Sequence, residues 1–322
     1  MNESLPGFRL VRPQSVDQAV AALQSAPDAR ICAGGTDLIV NMRRGLVAAE
    51  TLVDLTGIAD LKALDINETG LRIGSGVTLS ELAGNPSITG PYLAIAQAAR
   101  AVAGPSHREV ATLGGNLCLD TRCLYYNQSD WWRKSNGYCL KYRGDICHVA
   151  PRGNHCRAAF SGDMAPALMV LGAEIEIAGP NGVRSLNLTD LYRDDGANYL
   201  TLNPGEILIA VRIPAQKVVS VYGKIRVRGA VDFPLAGVAV ASRGAPGGAR
   251  IFDMAITGTN PMPVRVNIPA PLRKDDEPDT YFATLEKLVQ KTVSPQRTST
   301  TAPHYRRLSV AALATRLARE LT

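Results

Sequence analysis

The chain has 322 residues, 46% hydrophobic and 20% charged, with a formal net charge of +6. That is enough for about two domains of ordinary globular composition. No run of 18 apolar residues occurs and the N-terminal MNESLPGFRL has neither a basic nor an apolar signal region, so neither a membrane span nor a secretory leader is expected. The basic balance is mild and spread along the chain, so neither nucleic acid nor membrane is the expected partner.

Along the chain, Arg30-Ile31-Cys32-Ala33 reads as a short buried strand, Gly34-Gly35-Thr36-Asp37 as a tight turn, and Leu38 to Arg44 as a helix. Thr51 to Leu55 and Leu71 to Ile73 read as strands. Thr78 and Ser80 are candidate N-caps for a helix through Ala83. Pro91 to Val102 is an Ala-rich helix stopped by Gly104-Pro105. Thr112-Leu113-Gly114-Gly115-Asn116-Leu117 is a second glycine turn, after which periodicity is lost until about Ala158. Asp163 is placed to cap a helix over Met164 to Leu171. Ala173 to Ala178 and Val183 to Leu188 flank Gly179-Pro180-Asn181-Gly182, a hairpin signal, and Ile207 to Ile213 is a further strand. Beyond about Ser220 the pattern changes. Val219 to Val227, Leu235 to Ser242 and Arg250 to Ile256 form a strand meander, followed by amphipathic helices over Tyr281 to Lys291 and Ser309 to Glu320. The expected division is a larger unit over 1–217 and a smaller α+β unit over 218–322.

The two glycine turns share a physical logic. Glycine lets successive backbone N–H groups converge on one concavity, which suits phosphate. Two such turns about 80 residues apart could clasp a pyrophosphate, although neither is a Rossmann or Walker A fingerprint. Ordinary strand-end turns are the alternative.

The aperiodic stretch holds Cys123, Cys139, Cys147 and Cys156 within 34 residues, together with both tryptophans, Trp131 and Trp132. The spacing C-x15-C-x7-C-x8-C contains no C-x-x-C pair, so it matches neither a zinc ribbon nor a bacterial ferredoxin run. Four thiolates suit either zinc or an iron–sulfur cluster. Residues 119–160 carry seven Lys/Arg against three Asp/Glu, a balance that favours an anionic cluster. Tyr125, Tyr126, Trp131, Trp132, Tyr138 and Tyr142 could form an apolar shell around it. His148 and His155 neighbour ligand cysteines and either could replace one. His107 and His304 read as ordinary histidines. Paired aromatics, basic residues and a metal knuckle would also suit a base-stacking nucleic-acid module, a reading of another class.

Ala33-Gly34-Gly35-Thr36-Asp37-Leu38, Ala111-Thr112-Leu113-Gly114-Gly115-Asn116-Leu117, Gly162-Asp163-Met164-Ala165-Pro166-Ala167-Leu168, Gly205-Glu206-Ile207-Leu208-Ile209, the strand with Lys224 and the terminal Tyr305-Arg306-Arg307 occur in one order over nearly the whole chain. In that combination the chain resembles the FAD-binding subunits of the molybdenum hydroxylases, the group that includes xanthine dehydrogenase and carbon monoxide dehydrogenase. The resemblance implies an α+β fold: a two-lobed PCMH-type FAD-binding domain over 1–217, then a C-terminal domain over 218–322 like that of the CO dehydrogenase flavoprotein. It implies that FAD is held by Ile31, Cys32, Ala33, Gly34, Gly35, Thr36, Asp37 and Leu38, and by Ala103, Ala111, Thr112, Gly115, Asn116 and Cys118. Asp163 would meet the ribose or a nearby polar edge. Leu208 and Lys224 would lie near the rings, where a lysine would stabilise negative charge on reduced flavin.

Asn116 and Asp163 stand 47 positions apart, whereas typical members make this connection in far fewer. The excess is the cysteine stretch, an insertion over 119–160. With it the chain resembles the 4-hydroxybenzoyl-CoA reductase branch, whose insertion carries a [4Fe–4S] cluster. Cys32 and Cys118 then belong to the flavin scaffold, leaving Cys123, Cys139, Cys147 and Cys156 as cluster ligands. The implied role is a cytoplasmic electron-transfer subunit without catalytic residues of its own. It would carry electrons from a ferredoxin-like donor through cluster and FAD to [2Fe–2S] and molybdenum-cofactor subunits that reductively dehydroxylate an aromatic acyl-CoA. The alternative is a zinc-stabilised insert on a flavin subunit of an oxidising hydroxylase that passes electrons to NAD or a quinone.

Overall fold

The computed structural model describes residues 5–268 and 270–322. Among the described residues, twelve strands form three sheets. Strands β1 (Arg9–Val11), β2 (Arg30–Cys32) and β3 (Thr51–Asp54) make a small parallel sheet in the order β1-β3-β2. Strands β4 (Leu64–Asn67), β5 (Gly70–Gly74), β6 (Glu174–Gly179), β7 (Gly182–Asn187) and β8 (Ile207–Pro214) make an antiparallel sheet ordered β4-β5-β8-β6-β7. Strands β9 (Val219–Ile225), β10 (Ala236–Gly244), β11 (Arg250–Thr257) and β12 (Val264–Val266) form the third, an antiparallel meander. Parallel strands need crossovers, and the helix Val16–Ser25 supplies the one between β1 and β2. Its start is set by Ser15, whose hydroxyl accepts the Gln18 N–H at 3.2 Å.

The meander and the final helices follow the hydrophobic period. Pro278–Thr292 and Pro303–Arg319 bury Phe282, Leu285, Val289, Val310, Leu313 and Leu317 against β9–β12. Leu93–Ala101 buries Ala94, Ile95, Ala96, Ala98 and Ala99. Small side chains let this helix lie close to β9, where the Gln97 side chain accepts the Tyr222 N–H at 2.7 Å. It begins at Leu93 because Tyr92 sits at non-helical φ −121°, ψ 46°. Thr78 forms a reciprocal capping box with Glu81: the carboxylate accepts the Thr78 N–H at 2.7 Å and the Thr78 hydroxyl accepts the Glu81 N–H at 3.2 Å.

Two expectations change. The second glycine turn is a short helix, Leu113–Leu117, capped by Thr112. Asp163 stands at the N-cap of Met164–Met169 but makes no capping bond. Its carboxylate is turned onto the Tyr222 hydroxyl at 2.5 Å and the Lys224 ammonium at 3.1 Å, donors stronger than a helix N–H. Strands β1, β4 and β12 and the helices Val16–Ser25 and Asp130–Ser135 were not marked by the sequence pattern; three- and four-residue strands carry too few alternations to read. No helix among the described residues is long and apolar enough to cross a membrane.

Arg306, in the terminal Tyr-Arg-Arg, is buried. Its guanidinium donates to the carbonyls of Leu235 and Gln296 and to the Thr298 hydroxyl at 3.0–3.2 Å, and also to the Gly258 carbonyl. Burial pulls its pKa down to about 10. Arg306→Met would leave these buried acceptors without a donor and should lower stability by about 3 kcal/mol. Urea unfolding of the variant checks this, and an unchanged midpoint would contradict it.

Candidate functional site: a long cleft and a four-cysteine cavity

A cleft of about 1790 Å³ is lined by the turn after β2, the Leu113–Leu117 helix, the start of β8 and the 228–233 loop. Common ligand pockets are roughly 300–1,000 Å³, so this one suits an elongated ligand. Every residue expected to hold FAD lines it except Lys224: Ile31 through Leu38, Ala103, Ala111, Thr112, Gly115, Asn116, Cys118, Asp163 and Leu208.

The two glycine segments meet directly. A Cβ on Gly34 would overlap the Val110 carbonyl oxygen, and one on Gly114 would stand 2.8 Å from the Ser75 Cβ. Gly35 has φ +68° and starts the turn into Leu38–Arg43, a conformation glycine adopts without steric cost. Ala103, with φ +43°, takes up left-handed backbone despite its Cβ, a strain on the order of 1–2 kcal/mol.

The segments differ in their free donors. In the second, Leu113 N–H donates to the Val77 carbonyl at 2.9 Å, Gly114 N–H to the Ser75 carbonyl at 2.8 Å, and Gly115 N–H to the Thr112 hydroxyl at 3.1 Å. In the first, the N–H groups of Gly34, Gly35, Thr36 and Asp37 have no acceptor among the described residues. The first turn is therefore the anion nest, while the second packs against Ser75 and forms the opposite wall. The expectation that both turns offer backbone donors is corrected: Thr112 occupies the Gly115 donor.

Lys224 reaches the cleft wall through Asp163: its ammonium donates to Asp163 at 3.1 Å and to the Ala101 carbonyl at 3.0 Å, and the Lys224 and Asp163 side chains are each 4% exposed. Burial pushes the Asp163 carboxyl above its ordinary value, against the pull of Lys224 and Tyr222. The triad fastens the Met164–Met169 helix to β9. Burial alone pushes the Cys118 thiol up to about 12, and burial followed by the nearby Asp54 raises that of Cys32.

The insertion is closed at its neck by paired backbone bonds between Arg122 and Ala159, both 2.7 Å. It is tied to the first glycine turn and its helix. Arg122 pairs with Asp37 and donates to the Asn41 side chain at 3.2 Å. Tyr126 donates to the Leu46 carbonyl at 2.8 Å and Arg133 to the Gly45 carbonyl at 3.0 Å. Cys123, Cys139, Cys147 and Cys156 line one small cavity with Tyr125, Tyr126, Lys141 and His148, and all four are free thiols. Burial raises the thiol of Cys123, and that of Cys156 to about 12. No group of three or more His, Cys, Asp or Glu among the described residues is arranged to hold a metal ion, so the geometry does not by itself close a metal site.

The two histidines separate. His155 is outside the cavity, its ring nitrogens at 2.9 Å from Asn154 and 3.6 Å from Asp194. His148 lines it but stacks on Tyr125, with Nε2 2.5 Å from the Tyr138 carbonyl. Of the expected aromatic shell, Tyr125, Tyr126 and Tyr142 pack with the cysteines, the first two lining the cavity, whereas Trp131 is 75% exposed. Sequence reasoning missed Arg122, Lys141, Tyr199 and Phe233, which also line the cleft. Their only linear signal was charge or aromaticity inside irregular segments.

A long cleft with unengaged backbone donors at one turn is the shape of a site for an elongated, phosphate-bearing ligand. The family model described as FAD binding domain in molybdopterin dehydrogenase matches residues 6–216, and the chain belongs to that family, as an FAD-binding subunit of the molybdenum hydroxylase type. It is 31% identical over 246 residues to the aldehyde oxidoreductase FAD-binding subunit PaoB of Escherichia coli (strain K12), covering 73% of this chain and 77% of that protein. It is 32% identical over 212 residues to the carbon monoxide dehydrogenase medium chain of Afipia carboxidovorans, covering 65% and 60%. The fold matches the crystal structure of Cu,Mo-CO dehydrogenase with a TM-score of 0.79 at 24% identity, over 99% of this chain and 98% of that one.

Gly34→Val would push the first turn off Val110 and misdirect the nest. We expect the purified variant to retain less than about a tenth of the wild-type FAD, the equivalent of about 1.4 kcal/mol or more in binding. Absorbance of released flavin reads this out; full occupancy would show that the close approach is dispensable.

Proposed function

We propose that this chain is the electron-conducting FAD subunit of a molybdenum hydroxylase complex and that its insertion is a second redox site, a [4Fe–4S] cluster on Cys123, Cys139, Cys147 and Cys156. The observation that carries the reading is the convergence of four free thiols, distant in sequence, on one cavity beside the flavin cleft. Four thiolates suit an iron–sulfur cluster or zinc alike, and the cluster is the reading proposed for the insertion that sets this chain apart. His155 is turned away and His148 is engaged, which supports all-cysteine ligation.

The proposed division of labour follows from the residues. The Gly34–Asp37 nest would hold the FAD diphosphate, with Thr112, Gly115 and Asn116 as the facing wall. Asp163, fixed by Lys224 and Tyr222, would meet a polar edge of the cofactor, and Leu208 a ring face. Lys224 acts through Asp163 rather than on the flavin. FAD accepts one or two electrons and so links a one-electron centre to two-electron substrate chemistry. Tyr125 and Tyr126 would keep water from the four sulfurs, a lever on cluster potential. The flavin unit over 1–217 and the smaller unit over 218–322 remain the proposed domains.

Beyond the family, we assign the complex to reductive dehydroxylation of an aromatic acyl-CoA of the 4-hydroxybenzoyl-CoA type. A low-potential, ferredoxin-like protein would donate electrons, and [2Fe–2S] and molybdenum-cofactor subunits would complete the assembly. A second reading runs electrons the other way, out to NAD or a quinone. It is favoured by relatives named as xanthine and carbon monoxide dehydrogenases.

Iron, sulfide and flavin analysis tests the cofactor set. About four irons and four sulfides per FAD are expected from the cluster assigned on four thiolates; a colourless insert with one zinc would sink the assignment. Cys147→Ser should lose most of the iron and keep FAD. For direction, the assembled complex should reduce 4-hydroxybenzoyl-CoA with a reduced viologen. Failure there, with xanthine or aldehyde oxidation by the same preparation, would establish the oxidising reading instead.

A further inference from the structure

The four-cysteine cavity and the flavin cleft share a wall. Tyr126 and Lys141 line both. Lys141 is 6% exposed in its side chain. Its ammonium donates to the Asp120 carboxylate at 2.8 Å, the Thr121 hydroxyl at 2.6 Å and the Gly196 carbonyl at 2.7 Å. It stands 5.2 Å from the centre of the Tyr126 ring and 5.6 Å from that of Tyr199.

These bonds join the segments that carry Cys123 and Cys139 to the Gly196 turn, which binds the Cys156 backbone. Asp120 and Thr121 precede Cys123, and Lys141 follows Cys139. Gly196 donates its N–H to the Cys156 carbonyl at 2.8 Å, while Asp195 accepts the Cys156 N–H at 3.1 Å. A cation buried here costs desolvation, offset by one carboxylate and two neutral acceptors. Such a charge acts on both neighbouring sites through a poorly screened medium.

We propose that Lys141 is a positioning residue for electron transfer between the two sites, a fixed positive charge in their common wall that raises the reduction potential of the four-cysteine centre. The proposal rests on that centre being a redox group. One electron crosses at a time: the centre loses one, the flavin gains one, and an external low-potential reductant restores the first. No bond at Lys141 or Tyr126 forms or breaks. Asp120 opposes the effect. It lines the cleft but not the cavity and partly neutralises the ammonium.

The test uses the assembled complex, with iron, sulfide and FAD measured first and the potential of the centre then read by EPR-monitored redox titration. Lys141→Met keeps the length and removes the charge. It should lower the reduced-to-oxidised ratio at a fixed ambient potential by about tenfold, which is 59 mV for one electron. Lys141→Arg should keep the wild-type value. Asp120→Asn should shift the potential upward, a reversal that a purely structural role would not produce. If Lys141→Met loses its iron, the Asp120→Asn and Lys141→Arg titrations decide. Wild-type complex without iron or sulfide removes the proposal together with the reading beneath it. Iron present, with Asp120→Asn unmoved or lowered, overturns the proposal alone.

Discussion

The cleft depends on a backbone contact that tolerates no side chain. Gly34 lies against the Val110 carbonyl so closely that a Cβ cannot be accommodated. The Leu79 N–H holds the Ala111 carbonyl at 2.9 Å, and Thr78 bridges Thr112. These contacts bring the parallel sheet and the helical segment after Thr112 to opposite walls of one trough. Because the N–H groups of the second wall are already engaged with Ser75, Val77 and Thr112, the polar concavity falls to the first turn. An electrostatic asymmetry thus follows from packing: one wall offers donors, the other offers shape.

The same turn anchors the insertion. Asp37 ends the glycine segment and pairs with Arg122, just inside the neck of the insert. Burial pulls the Arg122 guanidinium below its ordinary value, the desolvation cost of a cation held mainly by one carboxylate and the Asn41 side chain. Tyr126 and Arg133 add bonds to the carbonyls of Leu46 and Gly45, beyond the Leu38–Arg43 helix. The four-cysteine loop is therefore fixed to the element that forms the anion nest. On the other side, Leu124 donates to the Thr298 carbonyl at 2.8 Å, which ties the insert to the C-terminal part of the chain. A loop of this length needs such external bonds, since its own core is small.

Much of the architecture was legible because it rests on local rules. The Gly179–Gly182 hairpin, the Thr78 cap, the meander from Val219 and the two final helices each carry a period, cap or turn signal that tertiary context did not override. The cleft residues were legible through the chain's resemblance to its family, carried by motifs spread in order along the sequence. The cap expected of Asp163 is absent, and its pairing with Lys224 was not legible. A carboxylate before a helix reads as a cap and a strand lysine as a surface or cofactor-facing group. Only the packing of the Met164–Met169 helix on β9 shows that each is the other's partner.

The sequence alone determined that four cysteines cluster in one aperiodic stretch, that two glycine segments stand about 80 residues apart, and that the hydrophobic period changes after about Ser220. These are properties of composition and spacing. Tertiary structure decided which glycine segment keeps free donors, which histidine points away from the thiols, and that Tyr126 and Lys141 stand between the two cavities. Each of these depends on contacts between residues far apart in the chain, as between Lys141 and Gly196. Spacing cannot encode such contacts, because hydrogen-bond partners and burial are fixed only when the separate elements pack.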